Sequence, residues 1–260
     1  MSLSALIFNA EGALAETEDV HRAAYNEAFR EFGFSWVWSR SDHIGLRHVE
    51  DGAERIRTYA RTTHPVFWAA FRDSGVFARI FRRKAALYSG MLADGAVALR
   101  PGVSRLIGEA MSEGIALAAV TPGTRADFRR LLTGQLGGDA AGWIGTVISS
   151  EDESSRGANP YAAALEELGV AADAAIAFES SAHGTRRAAE AGLGVVATPG
   201  IYTSSERFDD AWLVLSDLGR PAEPFDILHG PDLPHDFIGI EALLALRRAV
   251  RGGQAQRSGG

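Results

Sequence analysis

The sequence predicts an α/β protein: a parallel-sheet core with an all-helical segment inserted after its first strand. Three observations carry this. The apolar run Ala5–Phe8 has the length and composition of a buried strand and is followed by the chain-turning Gly12. From Ile115 onward, short apolar runs alternate with helical patterns, the signature of βαβ units. Between Ala15 and Leu92 only helical periodicity is found. The expected organisation is a core of residues 1–14 and 96–251, a helical cap of 15–95, and a disordered tail of 252–260.

Taken in order, Thr17 is expected to cap a helix whose first turn carries Glu18 and Asp19, favourable near the positive end of its dipole. Apolar residues recur at helical spacing from Val20 to Phe32, and Gly33 ends the pattern. Phe34–Trp38 is aromatic and reads as cover for a small helical domain. Helical patterns follow over Val49–Arg61, Pro65–Phe71 and Val76–Leu92. Pro101-Gly102 reopens the core with a helix ending near Glu113. Strands are expected at Ile115–Val120, Ile144–Ile148, Ala174–Phe178, Val195–Ala197 and Trp212–Leu215. Helices are expected at Arg125–Leu132, Tyr161–Leu168, His183–Ala191 and Ile238–Val250, with a glycine-rich loop over Gly134–Gly142.

Composition narrows the classes of function. At 260 residues the chain can bury a full core, and 46% hydrophobic with 23% charged residues is ordinary for a globular protein. A net charge of −7 argues against a nucleic-acid footprint, which calls for a basic stripe. No apolar run approaches the ~20 residues that span a bilayer, and the first residues lack a secretory pattern. The absence of cysteine removes thiolate chemistry and fits a cytoplasmic setting. The 26 basic residues comprise one lysine, Lys84, and 25 arginines, so a mechanism needing lysine elsewhere is excluded.

At the end of the first strand stand Asn9 and Glu11, at i and i+2, where ligands bind in open α/β sheets. The run ALIFNAEGALAETEDVHRAAYNEAF resembles the first motif, hhhDxDGT, of the haloacid dehalogenase (HAD) superfamily of phosphatases. The resemblance implies a Rossmannoid core with a helical cap. It also implies an Asp nucleophile, a second Asp as general acid/base, Mg²⁺, and a lysine that neutralises the transferring phosphoryl group. Here Asn9 stands at the nucleophile, Glu11 at the acid/base and Ala13 at the Thr. Thr121, after Ile-Ala-Leu-Ala-Ala-Val, matches the second motif. Registering the third motif on Tyr161 places Ser155 at the lysine, with Arg156 as a neighbouring charge. The fourth motif reads Phe178-Glu179-Ser180, so Ser180 stands where an Asp is expected to ligate Mg²⁺. The metal positions implied are therefore Asn9, Glu11, Glu179 and Ser180, two of them without the expected charge. A serine nucleophile formed by Ser180 and His183 lacks an orienting acid.

HRAAYNEAF, RRKAALY, LRPGV and TPGIYT further resemble the CbbY-type branch, related to β-phosphoglucomutase, which acts on sugar phosphates. Its GGKERI-like cap run appears here as Asp51-Gly-Ala-Glu-Arg55-Ile, with Ala53 at the lysine and Asp51 adding a negative charge. His21, Arg55, Arg83 and Lys84 are the candidate substrate-binding residues. Two functional classes follow. One is a non-catalytic relative that binds a phosphorylated metabolite or a protein partner. The other is a hydrolase that uses Glu11 or Glu179 to activate water.

Overall fold

A computed structural model describes residues 3–49, 51–138, 142–152 and 159–258, with side chains as far as residue 252. Ser155 and Arg156 lie outside the described residues. The chain opens with β1 (Ala5–Asn9) and continues through α1 (Glu18–Glu31), α2 (Arg40–Leu46), α3 (Gly52–Thr63), α4 (Pro65–Phe71) and α5 (Val76–Ala93). There follow α6 (Val103–Ser112), β2 (Ala116–Val120), α7 (Arg125–Leu136), β3 (Thr146–Ile148), α8 (Pro160–Leu168), β4 (Ala175–Glu179) and α9 (Ala182–Glu190). The last elements are β5 (Gly194–Ala197), β6 (Leu213–Leu215), β7 (Ile227–His229) and α10 (Ile240–Ser258). Contacts divide the chain into two units, Met1–Glu16 with Ala98–Gly260, and Thr17–Val97.

In the first unit the described strands form one seven-stranded sheet in the order β3-β2-β1-β4-β5-β6-β7. All neighbours are parallel except the β6–β7 pair. β1 is fully apolar over Ala5–Phe8 because it is covered on both faces, as a central parallel strand must be. Phe8 and Phe178 stack at 4.6 Å between the neighbouring strands β1 and β4. On one face Tyr161, Ala164 and Leu165 of α8 pack on Ile7, Val120 and Ala177. The chain steps outward from β1 to β2 and β3, then returns to β4 on the other side of β1. That reversal leaves a crevice beyond the carboxyl ends of β1, β2 and β4, the switch point at which such sheets bind ligands.

The second unit is all-helical among the described residues. Its core is aromatic, with Tyr25, Phe29, Trp36, Trp38, Ile56, Phe77 and Ile80 buried together. The Phe34–Trp38 segment is tied to α1 by Asn26, whose amide nitrogen donates to the Trp38 carbonyl at 3.1 Å and whose oxygen accepts from Trp38 N–H at 2.7 Å.

Several local expectations are corrected. Thr17 precedes α1, but its hydroxyl makes no capping bond and is buried. Asp51 is the N-cap of α3 and accepts from Glu54 N–H at 2.7 Å, so its charge serves the helix start. The helix expected from Val49 starts at Gly52 as α3, and α2 precedes it where no element was expected, started by the capping box of Ser39 and Asp42. α7 continues through Gly134 to Leu136, less than one turn into the expected loop. α10 continues through the glycines at 252 and 253 to Ser258, over the stretch whose composition reads as a tail. There the helical hydrogen-bond ladder, begun in apolar turns, propagates through weak helix formers.

Candidate active site

The turn after β1 brings its side chains to the sheet edge. Leu14 N–H donates to Asn9 O at 3.0 Å and Gly12 N–H to Ala15 O at 2.7 Å, closing a tight loop around Glu11. Gly12 has φ +113°, and a Cβ there would lie 2.0 Å from Ser180 Oγ, so only glycine lets this turn approach the end of β4. Asn9, Glu11, Thr121, Glu179 and Ser180 thus come together from the ends of three neighbouring strands.

The polar contacts define what each group can do. Asn9 Oδ1 accepts from Glu11 N–H at 2.9 Å, and Asn9 Nδ2 donates to Glu179 Oε1 at 2.8 Å. Glu179 is 1% exposed. The Tyr161 hydroxyl also donates to its Oε1, and Oε2 accepts from Ser180 N–H at 2.8 Å, Ser181 N–H at 3.2 Å and Ser181 Oγ at 3.3 Å. Burial, followed by the charge of Glu179, pushes the Tyr161 phenol well above its ordinary pKa and keeps it a donor. A Cβ at Gly184 would lie 2.0 Å from Glu179 Oε1, so the first turn of α9 is also cut to fit this carboxylate. Thr121 Oγ1 donates to Glu11 Oε1 at 3.3 Å and accepts from Gly123 N–H at 3.0 Å.

These bonds bear on the metal that the first and fourth motifs imply. Asn9 turns an NH₂ group, which cannot ligate a cation, toward Glu179, while its carbonyl oxygen is engaged by Glu11 N–H. Ser180 brings a neutral hydroxyl. Among the described residues no group of three or more His, Asp or Glu side chains is placed to hold a metal ion. Mg²⁺ favours carboxylate oxygens in near-octahedral array, and this donor set does not fit it.

In the helical unit, Lys84 is 6% exposed and its Nζ lies 2.6 Å from His21 Nδ1. It sits 4.9 Å from the Tyr25 ring and 4.7 Å from the Tyr88 ring, and His21 stacks on Tyr88 at 3.8 Å. Arg55 Nε donates to Val49 O at 2.5 Å. Arg83, adjacent in sequence to Lys84, forms an ion pair with Glu31 and is apart from this cluster. Sequence reasoning used Tyr161 only to set register. That a buried phenol needs a partner for its hydroxyl was the available signal.

The family described as "Haloacid dehalogenase-like hydrolase" matches residues 6–198. The chain belongs to this family. Plasmid-borne protein CbbY of Cupriavidus necator is 35% identical over 94% of this chain and 96% of its own length. The crystal structure of CbbY from Rhodobacter sphaeroides in complex with phosphate superposes with a TM-score of 0.70 at 32% identity, covering 83% of this chain and 94% of that one. A mutant of that protein in complex with xylulose-1,5-bisphosphate gives 0.71 at 32% identity, covering 85% and 98%. HAD-like proteins in general use Mg²⁺.

Proposed function

We propose that this chain is a non-catalytic member of the CbbY-type sugar-phosphate phosphatases, which holds a phosphorylated metabolite without hydrolysing it. The observation that carries the reading is the Asn9–Glu179 hydrogen bond. A HAD phosphatase needs a carboxylate at this position to attack phosphorus. A carboxamide is a very poor nucleophile, and here both its ends are occupied by protein groups. The donor set, a carboxamide and a serine hydroxyl beside Glu11 and Glu179, does not fit Mg²⁺. Binding of the phosphorylated end is assigned to the helical unit, where the buried Lys84 Nζ lies against His21 Nδ1 and Arg55 stands in the first turn of α3.

The test is phosphate release from a panel of sugar phosphates and bisphosphates, with xylulose-1,5-bisphosphate first because a relative has been seen with it. No release above a protein-free blank is expected. The second reading, a hydrolase with a glutamate base, is favoured by one feature: Glu11 keeps a carboxylate at the strand end. Glu179 is the poorer base, since hydrogen-bond donors surround both its oxygens. Turnover that Glu11→Gln abolishes would establish that second reading.

A further inference from the structure

We propose that Glu11 determines what the core site accepts: its carboxylate takes the place of an oxyanion at Thr121, and the site thereby rejects phosphoryl groups. The inference rests on the non-catalytic reading of the core site at the ends of β1, β2 and β4. It adds which chemical class that site excludes and which residue excludes it.

Three observations converge. The first is the direction of the hydrogen bonds. A hydroxyl has a single proton to give. Thr121 gives it to Glu11 Oε1 at 3.3 Å and accepts from Gly123 N–H at 3.0 Å. While Glu11 stays in place, Thr121 has no proton for a ligand anion.

The second is space. A Cβ at residue 123 would lie 2.7 Å from Glu11 Oε1, so the carboxylate fills room that exists only because this position is glycine. β1 and β2 are paired in register as far as Asn9 and Val120, which sets Glu11 and Thr121 on adjacent strand ends. A side chain one methylene shorter at residue 11 would fall about one bond length, roughly 1.5 Å, short of Thr121.

The third is charge. With no metal fitted to the site, Glu11 presents a negative group where the chain leads into the positive N-terminal end of α7. Arg125 N–H at that end donates to Glu151 and Asp127 N–H to Thr124, so its donors are met from within the protein, and a phosphate dianion beside Glu11 meets like charge.

The experiment is equilibrium binding of inorganic phosphate to the full chain by titration calorimetry, on wild type, Glu11→Ala and Glu11→Gln. Each variant is first checked for folding by circular dichroism. Any phosphate held by Lys84 and His21 is common to all three proteins, so the readout is the gain over wild type. Glu11→Ala should gain about one equivalent of phosphate, bound on the order of 100-fold more tightly than any binding at the wild-type core site. Adding Thr121→Val to Glu11→Ala should remove that gain. If Glu11→Ala fails to fold, Glu11→Gln serves, since it keeps the shape and removes the charge. Isotherms of folded Glu11 variants that match wild type overturn the proposal, as does a gain that survives Thr121→Val. Phosphate release by the wild-type protein that Glu11→Gln abolishes would overturn this proposal together with the non-catalytic reading, whereas matching isotherms without any release overturn this proposal alone.

Discussion

Asn9→Asp would replace a donor lying 2.8 Å from Glu179 Oε1 with a second carboxylate. At about 3 Å and an effective dielectric constant of about 20, two unit charges repel by about 5 kcal/mol. Proton uptake caps the cost. Keeping a carboxyl of ordinary pKa ~4 protonated at pH 7 costs about 4 kcal/mol, three pH units at roughly 1.36 kcal/mol each. The shared proton then restores a hydrogen bond between the two groups, so the loss at pH 7 is about 4 kcal/mol. The pair's proton affinity in the folded state is raised above the unfolded value. The destabilisation is therefore largest at high pH and fades as pH falls toward about 4, reaching roughly 1 kcal/mol at pH 5. At 2–4 °C per kcal/mol, the melting temperature should drop by about 8–16 °C at pH 7 and by only about 3–5 °C at pH 5. The assay is thermal denaturation followed by circular dichroism in EDTA, wild type against variant, at both pH values. Equal stability at pH 7, or a deficit that does not change between pH 7 and pH 5, would refute the contact on which the non-catalytic reading stands.

Three further outcomes are expected. Calorimetry with millimolar Mg²⁺ should show no saturable binding to the wild-type chain, and binding that disappears in Glu179→Ala would show that the remaining oxygens suffice. The combination Asn9→Asp, Glu11→Asp, Ala13→Thr, Ser155→Lys and Ser180→Asp should release phosphate from a small aryl phosphate in the presence of Mg²⁺, while each single reversion does nothing measurable, because these groups act as a unit. A folded, Mg²⁺-binding but inactive combination would count against the placement of the third motif at Ser155. In the helical unit, burial raises the Glu18 carboxyl pKa, but the His43 hydrogen bond and the charges of His21, Arg47 and His43 outweigh it and lower the pKa from 4.5 to about 2. That stabilisation, about 3 kcal/mol, is present above pH ~4.5 and is lost as pH falls through about 2. Glu18→Gln should flatten the acid limb of the helical signal at 222 nm, and an unchanged limb would dismiss Glu18 as its source.

By itself the sequence determined the class of fold and which strand ends carry the candidate site. β1, β2, β4 and β5 are apolar because they are buried on both faces, and that demand is written directly into residues such as Ala5–Phe8 and Ala175–Phe178. The candidate residues Asn9, Glu11, Thr121, Glu179 and Ser180 could be grouped from sequence because each ends or closely follows a strand, and parallel strands bring their carboxyl ends to one edge. Short elements that owe their existence to partners were not legible. β7 is three residues, two of them exposed, whose antiparallel pairing with β6 is set by the neighbouring strand, and α2 is a single capped segment too short to show a period. The hydrogen-bond directions within the site also needed the tertiary structure. Asn9 donates to Glu179, Tyr161 supports the same carboxylate from α8, and Glu11 takes the Thr121 proton, across sequence separations of 170, 18 and 110 residues. A residue type states only what a side chain is able to donate or accept. Which partner it meets is decided by packing of distant segments, and here that packing turns the donors of the site inward onto its own two glutamates.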